Sequence, residues 1–331
     1  MSSKRYYPWV DYAKCFSILL VISYHCPPRP DGFAGDVLQL LRMPAFFMVA
    51  GLLFRQEKYP SFLAFLKHRS RQLLIPYTFF FVVFYVLWLL LGRTISGGDD
   101  LLASPLQPLA DFVLGTPRLV VATYWFIACL FSMQMIYFLL LRYLPRPAAI
   151  AAICLLPAVH SLLPFGLIWN IDLALLYLPY YAAANLLKSR VHSLSRRHLP
   201  FVVACLLLSL AGLAFRTSYL VPHTLYLLTD YTTLLCGLCI LPAYVLFVKA
   251  LSRLPLDRAA AYIGRNTIIV LALQNYIIGT FKLFLVPTSS YLLPTNVCLS
   301  FATLLLCIPF IYIINRFLPW SIGRGRFFNA N

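Results

Sequence analysis

The sequence is a succession of apolar runs, most of them long enough to cross a lipid bilayer. A hydrocarbon core of about 30 Å needs about 20 apolar residues in helical form. Inside lipid, a helix satisfies its own backbone groups, whereas an open strand or loop does not. Ten such runs can be read, at roughly 9–26, 34–54, 73–92, 120–142, 147–163, 166–187, 200–215, 226–249, 261–282 and 291–318. The pattern predicts an all-α, polytopic integral membrane protein with about ten transmembrane helices. The fifth and seventh runs are short, and Asp172 and Pro179 interrupt the sixth. Composition agrees: 61% of the 331 residues are hydrophobic and 11% charged, against about 25% charged in soluble domains.

The formal net charge is +17. In a soluble chain that would suggest nucleic acid, but here the basic residues follow the membrane pattern. With the N-terminus in the cytoplasm, the even-numbered loops also face the cytoplasm. They carry Arg55, Lys58, Lys67, Arg69, Arg71, Arg142, Arg146, Lys188, Arg190, Arg196, Arg197, Lys249, Arg253 and Arg258. The two ends add Lys4, Arg5, Arg324 and Arg326, whereas the outer loops hold Arg29, Arg93, Arg118, Arg216 and Lys282. This asymmetry fits the positive-inside rule with both termini cytoplasmic, and it accounts for the charge without a nucleic-acid partner. The longest outer segment, 93–119, contains SGGDD and several prolines and reads as a loop. No soluble domain and no internal repeat is legible, so residues 1–331 are expected to form one transmembrane unit. Most of the nine cysteines lie in apolar runs, where Cys acts as a small hydrophobe. Cys236 and Cys239 form a CxxC without a second pair, and no metal site is expected.

One run departs from plain hydrophobicity. Residues 11–25 read DYAKCFSILLVISYH. Lys14 and His25 are eleven residues apart, which on an α-helix brings them within about 20° of one face and about 16 Å apart along the axis. Asp11 lies one turn before Lys14 and can pair with it. These residues can sit at the two interfaces with Lys14 snorkelling, or they can line a path inside the bundle. The second run, RMPAFFMVAGLLFR, places Arg42 near the same outer loop as His25. A basic stretch, KHRSRQLLIPY at 67–77, leads into the third run. Its charges serve as topology signals, as contacts for anionic headgroups, or as ligands for the phosphates of a soluble cofactor.

Together these segments resemble the acyltransferase family 3 membrane proteins. The form W-x-DYAK-x10-H in the first run is similar to the branch that includes fucose O-acetyltransferases and exopolysaccharide acyltransferases. RMPAFFMVAGLLF, RQLLIPY, YWFIACLF at 124–131 and IGRNTIIVLALQN at 263–275 follow in the family's order. Relatives often carry Arg where this chain has Lys14, and His where it has Gln274.

The resemblance implies a membrane-bound O-acyltransferase of the bacterial cytoplasmic (inner) membrane. It would move an acyl group, acetyl by the family's habit, from cytoplasmic acyl-CoA as cosubstrate to a hydroxyl of a carbohydrate or glycan acceptor. It assigns His25, Asp11 and Lys14 to catalysis, and Lys14, Arg69 and Arg71 to the CoA. It assigns Arg42, Trp125, Gln274 and Asn275 to the substrate. His25 would act as general base or as a covalent acyl carrier. Two other readings stay open on the residues alone, a secondary transporter and a non-catalytic subunit of a polysaccharide export system.

Overall fold

A computed structural model of the chain describes residues 7–27, 32–92, 104–116, 120–219, 226–284 and 293–324. No strand occurs among the described residues. The helices are α1 (Pro8–His25), α2 (Gly32–Leu53), α3 (Phe62–Arg69), α4 (Ile75–Leu87), α5 (Gln107–Leu114), α6 (Trp125–Tyr143), α7 (Arg146–Leu162), α8 (Ile171–Leu186), α9 (Lys188–Ser193), α10 (Leu199–Tyr219), α11 (Tyr226–Leu251), α12 (Asp257–Arg265), α13 (Thr267–Phe284) and α14 (Leu293–Phe317).

A helix occupies the place of every expected run. Among the described residues, six stretches are long and apolar enough to cross a membrane: Gly32–Leu53, Phe62–Leu90, Ala122–Tyr143, Arg196–Ser218, Tyr226–Leu251 and Pro294–Phe317. Arg146–Leu162 and Thr267–Phe281 are shorter apolar helices. The chain is thus an all-helical, multi-pass membrane protein. Helix α1 falls outside that set because it carries Asp11, Lys14 and His25, and α8 because it has 16 residues.

The position of α1 explains how it tolerates its polar residues. It packs against α2, α11, α12, α13 and α14, and Ala13, Ser17, Ile18 and Ile22 are fully enclosed. A helix covered on all sides meets protein rather than lipid. Gly264 of α12 makes one approach very close, because a Cβ there would lie 2.7 Å from the Asp11 carbonyl oxygen. Gly51 does the same for α2 against the Tyr181 carbonyl of α8.

Several boundaries differ from the sequence pattern for local reasons. The third run begins earlier, since α3 continues into α4 through a wide π-helical turn at Ser70–Leu74. Pro76 follows two residues later, lacks an N–H and so breaks the regular ladder at this point. In the 93–119 segment, residues 93–103 and 117–119 lie outside the described residues, but α5 is a helix where a loop was expected. Pro108 sits at its start and Gly115, at φ 81°, ends it, the usual placement of those two residues. Helix α8 starts only at Ile171, because Trp169 and Asn170 both have positive φ, 57° and 50°. The Asn170 side chain donates to the Gly115 carbonyl (2.7 Å) and Ser132 donates to the Trp169 carbonyl (3.0 Å), which holds this turn. The ninth run breaks at Asn266, whose side-chain oxygen accepts from Asn315 (3.0 Å) and Arg324 (3.2 Å).

Candidate active site

Helix α1 carries a stripe at helical spacing, and a cavity lies at each end of it. The first is about 320 Å³ and is walled by Tyr7, Asp11, Lys14, Arg55, Lys58, Lys188 and His192 among others. The second is about 270 Å³ and is walled by Tyr24, His25, Arg42, Phe46, Thr123, Trp125 and Leu271 among others. The face predicted from the Lys14–His25 spacing therefore points into both cavities. Between them, the stripe passes Ser17 and Ile18, each 0% exposed. Tyr244 donates to the Ala13 carbonyl (2.8 Å), so its single proton is used, and Ser17 donates to the Tyr244 oxygen (2.7 Å). The two cavities are therefore separated by a packed segment rather than joined as an open channel.

The basic cavity is assembled by the converging ends of α1, α2 and α8. Asn185 of α8 donates to the carbonyls of Gly51 (3.1 Å) and Phe54 (3.0 Å) at the end of α2, and it accepts from Tyr137 (2.9 Å). Carbonyls at a helix end run short of intrahelical partners; Gly51 also accepts from the Phe54 N–H (3.1 Å), and the added bonds from α8 bring Arg55 beside Lys188. Asp11 lies 3.7 Å from Lys14 Nζ and 3.9 Å from Arg265 Nη2, so one carboxylate faces two cations. Burial pushes the Lys188 ammonium below its ordinary pKa; Arg55 and Lys58 push the same way, while Glu57 opposes them. Burial, with Lys188 and Lys249, also pushes His192 down to about 4. This is a cluster of like charges held together by the fold, and a bound anion would relieve it.

Helix α9 closes that cavity on one side. Lys249 Nζ donates to the carbonyls of Val191 (2.9 Å), His192 (2.9 Å) and Leu194 (2.6 Å). The His192 ring stacks on Tyr7 at 3.8 Å.

At the other end, Asn296 of α14 fixes the terminus of α1. Its amide donates to the carbonyls of Ser23 (2.9 Å) and Cys26 (2.8 Å), and it accepts from the Ser23 hydroxyl (2.6 Å). His25 packs edge-on against Tyr24, and the Arg42 guanidinium lies 3.5 Å over the Tyr24 ring. Thr123 donates to the Leu271 carbonyl (2.9 Å), which locks the start of α6 to α13. An imidazole and a guanidinium thus share one small cavity with the Trp125 ring.

The residues singled out from sequence separate accordingly. His25, Arg42 and Trp125 come together in one cavity, and Asp11 and Lys14 in the other. Gln274 lies one turn beyond Leu271, fully enclosed, and among the described residues neither its amide nitrogen nor its oxygen has a hydrogen-bond partner. Asn275, beside it, is half-buried. Arg69 and Arg71 line neither cavity. Arg69 donates to Gln72 (2.8 Å), and Arg71 donates to the Gly323 carbonyl (2.9 Å). Arg55, Lys58, Lys188 and His192 entered the sequence reading as topology charges or not at all. Their convergence depends on Asn185 and Gly51, which carry no such signal in one dimension.

This is a helical membrane protein with a polar site enclosed in its bundle, acidic and basic groups at one end and an imidazole at the other. The family model described as "Acyltransferase domain" matches residues 7–314, nearly the whole chain, and the protein belongs to that family. It is a membrane acyltransferase. No curated protein and no solved structure matches the chain.

Proposed function

We propose that the protein transfers an acyl group, acetyl by resemblance, from cytoplasmic acyl-CoA to a carbohydrate hydroxyl, with the donor entering at the basic cavity and the acceptor at the His25 cavity. The observation that carries this reading is the placement of two chemically distinct cavities at the two ends of one α1 stripe. The basic end holds the loops rich in Lys and Arg, so it faces the cytoplasm under the positive-inside rule. CoA is a polyanion, and Arg55, Lys58 and Lys188 suit its phosphates through charge-assisted hydrogen bonds. These three, with Lys14, take the donor role that the sequence motif gave to Arg69 and Arg71.

His25 is the candidate base. A neutral imidazole takes the proton from the acceptor hydroxyl, and the oxygen attacks the thioester carbonyl carbon. The carbon–sulfur bond then breaks, and the departing thiolate takes up a proton. Arg42, held over Tyr24, is placed to stabilise the oxyanion that develops on the carbonyl oxygen. Because Ser17 and Ile18 fill the space between the cavities, the thioester arm must thread past them along α1. Lys14 and His25 are about 16 Å apart along the helix.

The test is binding and turnover in proteoliposomes. Tritiated CoA should bind, dephospho-CoA more weakly and pantetheine weaker still. Thiol release from acetyl-CoA should require a glycan acceptor and should vanish in His25→Ala at matched protein level. Equal binding of CoA and pantetheine would overturn the donor site, and wild-type turnover by His25→Ala would overturn the base.

A further inference from the structure

We propose that a third cavity, between α2, α8, α10 and α11, holds one anionic phospholipid of the leaflet at the basic end of the bundle. It is about 570 Å³, larger than either cavity on α1, and within the size of sites that take organic ligands, about 300–1,000 Å³. Its walls include Met48, Ala184, Cys205, Leu238, Cys239 and Val245, apolar side chains from four helices. Small residues recur where the helices face one another, Ala183 and Ala184 on α8, Cys205 on α10 and Cys239 on α11. Interiors are ordinarily packed without voids of this size. An apolar space of this volume in a membrane bundle calls for an apolar occupant.

The mouth fixes the occupant's other end. Arg190, Ser193 and His198 lie there, and among the described residues no carboxylate lines the cavity. Among the described residues no acid pairs with Arg190. Arg196 and Arg197 precede His198 in the same turn. An apolar body closed at one end by arginines complements hydrocarbon chains that carry a phosphate. It does not complement a soluble polar ligand, nor a neutral lipid that would leave the cations unmet. Only the naming of the leaflet rests on the orientation argued above; there, anionic lipids are drawn to basic residues near the surface.

Helix α9 is the wall between this cavity and the donor cavity. Lys188 and His192 face the donor side, while Arg190, Val191, Ser193 and Leu194 face the lipid side. Because Lys249 holds the α9 carbonyls in place, a lipid seated against α9 supports the wall that carries Lys188.

The experiment is native mass spectrometry of the full chain released from nanodiscs of equal parts phosphatidylcholine and phosphatidylglycerol. The wild type should retain one phosphatidylglycerol in preference to phosphatidylcholine. Arg190→Gln combined with His198→Gln, both at exposed positions, should reduce that preference about fivefold, the share of one arginine near the surface. Cys205→Phe, on the sparsely buried α10, should fill the cavity and remove the retained lipid. Retention of neither lipid, equal retention of both, or an unchanged preference in the double variant would each overturn the proposal. Because lipid retention is read without acyl transfer, failure here leaves the catalytic reading standing, and the reverse also holds.

Discussion

The two ends of α1 belong to one helix yet solve opposite electrostatic problems. At the basic end, Lys14, Arg55, Lys58 and Lys188 line one cavity with Asp11, whose carboxylate faces Lys14 and Arg265. Flexible side chains and solvent dilute the repulsion, and under the proposed function the cavity takes a polyanion. At the far end, His25 packs edge-on against Tyr24, and the Arg42 guanidinium lies over the same ring. Under the proposed function, one is a holding end and the other a reacting end. That makes the kinetic signatures of substitutions at the two ends differ in kind.

The largest effect is expected at the reacting end. His25→Ala should lower kcat by about 10²–10⁴-fold, the usual contribution of a positioned base, while the donor KM stays near wild type. A parallel rise in donor KM would blur the two ends into one site. At the holding end the expectation reverses. Lys188→Gln should raise the donor KM about tenfold with kcat nearly unchanged, since a hydrogen bond to a charged group contributes about 1.5–3 kcal/mol. Arg55→Gln should behave similarly. A fall in kcat with unchanged KM in either variant would remove the phosphate role.

A third substitution probes the joint between the ends and their scaffold. Gly264→Ala would place a methyl group 2.7 Å from the Asp11 carbonyl oxygen, a backbone atom with little room to yield. Overpacking of this kind costs about 1–3 kcal/mol. The thermal midpoint in detergent should fall, and the donor KM should rise because Asp11 and Lys14 move with the helix. An unchanged midpoint would show that α12 can retreat from α1.

A smaller effect follows from His192. Its pKa is held down at about 4 in the folded chain, chiefly by burial, against about 6.5 when exposed. Between those values the unfolded state binds the proton and the folded state does not. The stability linked to this residue is therefore present above pH 6.5 and is lost as pH falls toward 4. His192→Gln should flatten the acid limb of the melting curve in that window, measured against wild type on the same buffer series. Identical limbs would show that the imidazole charges freely in the folded protein.

Much of this was legible in one dimension where the physics is local. Apolar length marked a helix at the place of every expected run, and the 3.6-residue period put Lys14 and His25 on one face. Legibility ended where contacts join distant segments. Nothing in GLLFR or in NLLKS shows that Arg55 and Lys188 share a cavity; Asn185 and Gly51 bring that about through an interhelical approach. The left-handed pair Trp169–Asn170 and the break at Asn266 were equally hidden, because side chains from other helices hold them. Gln274 was singled out by motif position. The enclosed amide with no hydrogen-bond partner among the described residues is a tertiary fact, since a buried amide is ordinarily satisfied.

The smallest expected effect concerns the residues that the motif favoured, Arg69 and Arg71. Both sit at the basic end, so charge alone would make them donor ligands. Their contacts differ from those of Lys188. Arg71 donates to the carbonyl of Gly323, a residue at φ 68° where an added Cβ would strike the Arg71 backbone. The contact ties the C-terminal segment to the wide turn before Pro76, while Arg324 fastens the same segment to Arg265, Asn266 and Asn315. Arg71 thus anchors the chain terminus, and a net hydrogen bond of this sort contributes about 0.5–1.5 kcal/mol. Arg71→Gln should lower the thermal midpoint slightly and leave the donor KM within about twofold. Arg69→Gln, which loses a bond to Gln72 on the same turn, should change neither by more. The measurement is the donor KM of both variants beside Lys188→Gln in one preparation. If Arg69→Gln or Arg71→Gln raises it as much as Lys188→Gln does, the phosphates extend beyond the cavity described, and the holding end is wider than the wall formed by α1, α2, α8 and α9.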